Sequence, residues 1–201
     1  MNCYGCSICL VNSHLAAHDE MLEERINDYQ RIKEATHFSV KVSKRIHEHD
    51  YVFWFGDLNF RLFNPINVQS NFTPEEIAEM VKRDRLNDLM KNDQLSNAMC
   101  EGRAFSELVE RLPQFPPTFK FVHESDEYDM KRRPAWCDRI LYKAKNKIVK
   151  NVSLHLEQLS YKSHPNYKIS DHKPVSSEFK IMVSTSFNLL VIPACLELHT
   201  S

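Results

Sequence analysis

The run Tyr51-Val52-Phe53-Trp54-Phe55 constrains the fold more than any other feature of this chain. Five consecutive β-prone apolar side chains, closed by Gly56-Asp57, leave no polar position for a solvent-facing side. Successive side chains of a strand point to opposite faces, so an unbroken run of this kind is a strand buried on both. Whatever follows its C-terminal end is then held on a rigid support. The chain is long enough to provide the cover: 201 residues correspond to about one domain, at roughly 150 residues each. A domain of that size buries roughly 70% of its unfolded surface and needs no disulfide or metal to assemble a core. At 42% hydrophobic and 26% charged residues, a collagen, a disordered tail and a coiled coil are excluded.

The remaining elements follow from periodicity and local signals. Ser7 to Val11 reads as a short strand ending in the polar residues Asn12-Ser13-His14. From Asp19 to Phe38, Met21, Leu22, Ile26, Tyr29 and Ile32 recur at helical spacing, a thin stripe that predicts a surface helix. Thr73-Pro74-Glu75-Glu76 combines an N-cap threonine, a proline at the first helical position and a capping-box glutamate. Leu86 to Met99 predicts one or two short helices, and Pro113, Pro116 and Pro117 break the chain before a strand-like Thr118 to Val122. Arg139 to Tyr142 and Glu178 to Ile181 are further strands. Met182 to Ser201 is an apolar tail without pattern, which puts the end of the domain, residues 1–181, near Ile181.

Composition narrows the function. A formal charge of -1 makes any anion site local, and three glycines leave no room for a glycine-rich phosphate loop. The sequence has no transmembrane segment and no secretory leader, which predicts a cytoplasmic protein. Cys3, Cys6 and Cys9 have the spacing of a cluster site but no fourth ligand, so thiols are the better reading; Cys100, Cys137 and Cys195 are read as free thiols too.

Three polar clusters carry chemistry. Asp57, Asn59 and Arg61 follow the buried strand directly: a carboxylate that can accept a proton or orient water, an amide that can donate to a phosphoryl oxygen, and a guanidinium suited to two-point anion contact. The bland alternative there is an Asx turn. Lys131-Arg132-Arg133-Pro134-Ala135-Trp136-Cys137-Asp138-Arg139 sets three cations beside an aromatic and then an acid-base pair, whose Asp138 could orient a histidine. Against it stands a solvated basic turn. Ser170-Asp171-His172-Lys173 pairs an acid with the side chain that titrates near neutrality. His14 and His172 stand beside strand ends among polar residues, whereas His37, His47, His49, His123, His155 and His199 read as structural or surface residues.

Phe53-Trp54-Phe55-Gly56-Asp57-Leu58-Asn59-Phe60-Arg61 and Arg133-Pro134-Ala135-Trp136-Cys137-Asp138-Arg139-Ile140-Leu141 resemble the two signature motifs of the inositol polyphosphate 5-phosphatases. Asn12 to His18 and Ser170 to Val175 fit the same family in the same order. The phrases Asn12 to His18 and Leu159 to His164 lean toward its type II branch, which includes the Lowe syndrome phosphatase. The resemblance implies an α+β fold: the helix-flanked β-sandwich of the endonuclease/exonuclease/phosphatase (DNase I-like) superfamily. It also implies roles. Asp57 would orient or deprotonate the attacking water, His14 and Asn59 would contact the scissile phosphate, and His172, oriented by Asp138, would stabilise the developing charge. Arg61, Lys120, Lys131, Arg132 and Arg139 would bind substrate, with Phe119-Lys120 and Lys131-Arg132 gripping the 4-phosphate. Asp171 would face a Mg2+ ion.

The implied function is Mg2+-dependent hydrolysis of the 5-phosphate of phosphatidylinositol 4,5-bisphosphate or soluble inositol polyphosphates, with peripheral contact at cytosolic membrane faces. Two alternatives stand beside it: an impaired chain that binds inositol phosphates without hydrolysing them, and a nuclease of the same superfamily. The low net charge and the Lys131-Arg132 pair beside Trp136 favour a compact head group over nucleic acid. In the family, a strand and a metal-holding glutamate precede the position of Ile8, and Met1 to Gly5 matches neither. The chain is therefore expected to be truncated at its N-terminus, without its principal Mg2+ ligand and with Tyr51 to Phe55 short of neighbours on one side.

Overall fold

The computed structural model describes residues 1–3, 6–39, 43–64, 66–67, 69, 71–145, 154–185 and 188–198, with side chains through Ile181. Two sheets form the frame. The first contains β1 (Asn2–Cys3), β2 (Cys6–Asn12), β3 (Tyr51–Asp57) and β4 (Asp138–Ala144) in that order; the second contains β5 (Leu154–Ser163), β6 (Val175–Thr185) and β7 (Asn188–Leu198). β2 and β3 are parallel and every other pairing is antiparallel. A parallel pair needs a crossover, and helix α1 (Leu22–Ala35) lies within it.

The apolar run forms β3, and its alternation explains its composition. Tyr51 and Phe53 face the second sheet, where the Phe53 and Phe179 rings meet at 4.9 Å. Val52 and Trp54 face α1, where Trp54 lies 5.1 Å from Tyr29 and 5.2 Å edge-on to Phe105. The expected shortage of neighbours does not arise at this strand: β2 pairs along one edge of β3 and β4 along the other. The same alternation settles the cysteine run. Cys6 packs in the core between the sheets and Cys9 in the core beneath α1, so the sheet separates their sulfurs.

α1 is shorter than its periodicity suggests, and its thin stripe is completed by a buried cation. Arg25 is fully buried, donating to the carbonyls of Ala16 (3.0 Å) and His18 (2.6 Å) and to Gln94 Oε1 (2.6 Å). α2 (Pro74–Lys82) begins as expected: Thr73 Oγ1 accepts from the Glu76 amide and Glu76 Oε2 from the Thr73 amide. α3 (Leu86–Met90) and α4 (Gln94–Cys100) fill the next segment.

Two expectations need correction. Thr118 to Val122 is no strand, because its backbone bonds go to several partners: the Phe119 amide to Ala135 O, the Phe121 amide to Asp171 O, and Thr118 O from the Lys173 amide. The stretch after Ile181 is not unpatterned, since β6 runs to Thr185 and β7 pairs with it from Asn188 to Leu198. Residue His199 and the Cys195 thiol lie outside the described residues and side chains.

Candidate active site

The parallel pairing of β2 and β3 brings both their C-terminal ends to one edge, and antiparallel β4 begins there, with Asp57 opposite Asp138. The ladder continues past β2 through Ser13 N to Phe55 O and Leu15 N to Asp57 O, both 3.0 Å, and so delivers His14 beside Asp57. Gly56 permits this approach. Its φ is +138°, and a Cβ there would lie 2.0 Å from Ser13 O.

Five segments converge on a cavity of about 240 Å³ whose lining includes His14, Asp57, Asn59, Arg61, Lys120, Arg132 and His172. At its floor, His172 Nδ1 lies 3.0 Å from Asp138 Oδ2, which also accepts from Thr118 Oγ1 at 2.6 Å. Asp57 Oδ2 stands 3.9 Å from His172 Nε2 and 3.4 Å from His14 Nε2. Burial pushes the Asp57 carboxyl upward and the Asp138 charge pushes it further; His172, His14 and the Asn59 amide only partly offset this. For His172 burial acts downward, but the hydrogen bond and charge of Asp138, with Asp57 and Asp171 beyond, raise its pKa overall. The result is a carboxylate more basic than usual beside an imidazole that readily carries a proton.

The bland Asx geometry and the functional arrangement coexist here. Asp57 Oδ1 accepts from the Asn59 amide at 3.1 Å, and Asn59 takes a positive φ of 56°, which asparagine tolerates. Asn59 is nearly buried, with Nδ2 donating to Leu15 O. Arg61 donates through Nε to Asn59 O and through its other nitrogen to Asn59 Oδ1, and lies 4.5 Å over the Phe119 ring. Its guanidinium thus fixes the amide while lining the cavity.

Lys120 Nζ lies 3.3 Å from Asp171 Oδ2 and borders a neighbouring cleft shared with Lys131. Asp171, expected to face a metal ion, is thus paired with Lys120. Among the described residues, the carboxylate and imidazole atoms close enough to share a cation are those of Asp57, Asp138 and His172, within 4.8 Å of one another. Asp138 Oδ1 is buried with no hydrogen-bond partner, and a second carboxylate stands close by. Such oxygens suit a hard divalent cation.

Arg139 does not bind substrate from this position. Adjacent residues of a strand face opposite ways, and its fully buried guanidinium is held by Asp93 (2.9 Å) and Glu110 (2.6 Å). Sequence reasoning also missed Thr118, His18 and Asp19. The first holds Asp138 and the other two line the cavity. A lone hydroxyl between Pro117 and Phe119 was the available signal for Thr118.

The sequence matches the endonuclease/exonuclease/phosphatase family 2 over residues 1–178. The mouse type II inositol 1,4,5-trisphosphate 5-phosphatase is 39% identical over 90% of this chain and 17% of its own length. The human phosphatidylinositol 4,5-bisphosphate 5-phosphatase A is 36% identical over 88% of this chain and 18% of its own, and the mouse inositol polyphosphate 5-phosphatase K 34% over 94% and 42%. The solved 5-phosphatase domain of SPsynaptojanin, in complex with inositol (1,4)-bisphosphate and calcium ion, superposes with a TM-score of 0.74 at 32% identity, covering 98% of this chain and 49% of that one. The chain therefore spans less than half the length of each of these relatives. Cimex nitrophorin, a ferrous NO complex, also superposes, with a TM-score of 0.66 at 28% identity over 89% of this chain and 56% of its own. The fold thus carries more than one chemistry, and the motifs at the strand ends have to decide. They agree with the sequence match: the chain belongs to the endonuclease/exonuclease/phosphatase family 2, and the relatives it resembles there are inositol polyphosphate 5-phosphatases.

Proposed function

We propose that this chain carries the catalytic face of a phosphoinositide or inositol polyphosphate 5-phosphatase. The observation that carries the reading is that Asp57 and His172, the latter held from behind by buried Asp138, line a cavity that also presents Lys120 and Arg132. Hydrolysis of a phosphomonoester needs a placed water and positive charge where the phosphoryl group develops its own. Asp57, beside His14 and His172, orients that water and accepts its proton. His172, kept in one orientation by Asp138, stabilises the phosphoryl oxygens, with His14 and the remaining Asn59 N–H beside it. Lys120, Lys131 and Arg132 read the adjacent 4-phosphate. Asp57 and Asp138 would hold Mg2+, which supplies Lewis-acid polarisation of the phosphoryl oxygen when bound. Asp171 is left as the partner of Lys120.

The membrane is proposed as the place of action because the human relative is named for a lipid substrate; among the described residues no helix is long and apolar enough to cross a membrane. Phosphate release from inositol 1,4,5-trisphosphate and from phosphatidylinositol 4,5-bisphosphate vesicles in Mg2+, with DNA as a parallel substrate, tests the reading. Release from either inositol compound supports it, and DNA cleavage without phosphate release overturns it. Binding of the head group without release selects the impaired alternative. Arg132→Ala is expected to lower kcat/KM on 4,5-bisphosphorylated head groups more than on those phosphorylated at position 5 alone, and an equal loss on both would remove the arginine from 4-phosphate recognition.

A further inference from the structure

A carboxylate lines this otherwise anion-seeking cavity without belonging to the floor group: Asp19. By charge alone it opposes a phosphorylated guest, so its placement calls for another reason. Its Oδ2 lies 2.7 Å from Arg133 Nη1. Arg133 Nε donates to Phe72 O at 2.9 Å, and the guanidinium sits 5.1 Å over the Phe63 ring. The Asp19 carbonyl in turn accepts from Arg25 Nη2 (3.2 Å) and Gln94 Nε2 (3.1 Å), both buried side chains. Asp19 is therefore anchored to the core through its backbone and to the basic loop through its side chain.

Arg132, next to Arg133, also lines the cavity, is exposed, and forms no ion pair among the described residues. Its own tie is the amide, which donates to Asp129 O at 3.1 Å, and buried Pro134 follows one residue beyond Arg133. A long flexible cation at such a place gains affinity when its backbone is held still before the guest arrives.

We infer that the Asp19–Arg133 ion pair is a clamp that positions Arg132 toward the anionic head group. The inference rests on the phosphatase reading of the site. Charge and positioning predict opposite signs for one substitution: Asp19→Asn removes a negative charge from the cavity, which alone would tighten anion binding, but it also releases the clamp.

Calorimetric titration with inositol (1,4)-bisphosphate in the presence of calcium reads the difference. The expected result is binding about threefold to tenfold weaker in Asp19→Asn, the scale of a partly exposed ion pair. In that background Arg132→Ala is expected to cost little more, because an unclamped Arg132 has already lost its contribution. Unchanged or tighter binding by Asp19→Asn, or full additivity with Arg132→Ala, overturns the clamp. Failure of the unmutated chain to bind overturns the phosphatase reading and the clamp with it, an outcome distinct from binding that is indifferent to Asp19. Should Asp19→Asn lose its cooperative melt, Arg133→Gln replaces it in the same double cycle: it removes the cationic partner of Asp19, and full additivity with Arg132→Ala again overturns the clamp.

Discussion

Asp57 and His172 have complementary shifts, a carboxyl raised by burial and an imidazole raised by its acid neighbours. On the proposed phosphatase reading, Asp57→Asn and His172→Ala are each expected to lower kcat far more than they raise KM, since that reading has their contacts strengthen in the transition state. Near-normal turnover of either variant removes that residue from the catalytic set. Arg139 teaches a different lesson. The motif reading treated it like Asp138, although adjacent strand residues face opposite ways, and nothing local in the sequence announces that Asp93 and Glu110 fold around it. Removing its charge strands two buried carboxylates, so Arg139→Met is expected to destabilise the chain by about 3–5 kcal/mol. Urea unfolding measures this, and a loss below 1 kcal/mol, on the order of an exposed pair, would show the network is not load-carrying.

Elements were legible where their determinants are local. The α2 start follows from four neighbouring residues, and the two-faced burial of β3 from five. Thr118 to Val122 was misread because its hydrogen-bond partners lie in the segments around Ala135 and Asp171, distant in sequence. Gly56 belongs to this scale, since it sets the distance between the ends of β2 and β3. Gly56→Ala is expected to cost about 1–3 kcal/mol, for a strained φ and a Cβ pressed on Ser13 O, and to weaken head-group binding by moving His14. An unaltered melt would refute the close approach. α1 is tied to the segment after α4 by Glu107, which accepts from Tyr29 Oη and Lys33 Nζ, both at 2.6 Å. Burial raises that carboxyl, but these two bonds prevail and hold it at about 2, below its ordinary 4.5. A depressed carboxylate stabilises fully above its unfolded pKa, and that share is lost as pH falls from about 4.5 toward 2. Glu107→Gln is therefore expected to be less stable at neutral pH and to show a shallower acid limb in urea unfolding; parallel limbs would exclude the tie.

At the scale of the molecule, periodicity left the fold open, and the order of four motifs pointed to it, because a site assembled from five separate segments leaves its trace in motif order rather than in any one element. β7 left no such trace. Pro193 interrupts its apolar run, and a proline there reads as a break until the strand is seen to lie at the edge of its sheet, where a missing amide is tolerated. The difference has a consequence for stability. β6 carries Val175, Phe179 and Ile181 into the core between the sheets, and β7 covers its outer edge from Val175 to Thr185. A chain ending at Ile181 would leave that edge unpaired, a template for association with other copies. The full sequence, with β3 paired on both edges, is expected to melt cooperatively, whereas residues 1–181 are expected to melt lower, bind a hydrophobic dye and aggregate with rising concentration. Thermal unfolding of the two chains side by side decides it: equal melting with no dye binding by the shorter chain would make β7 an appendage and return the end of the domain to Ile181.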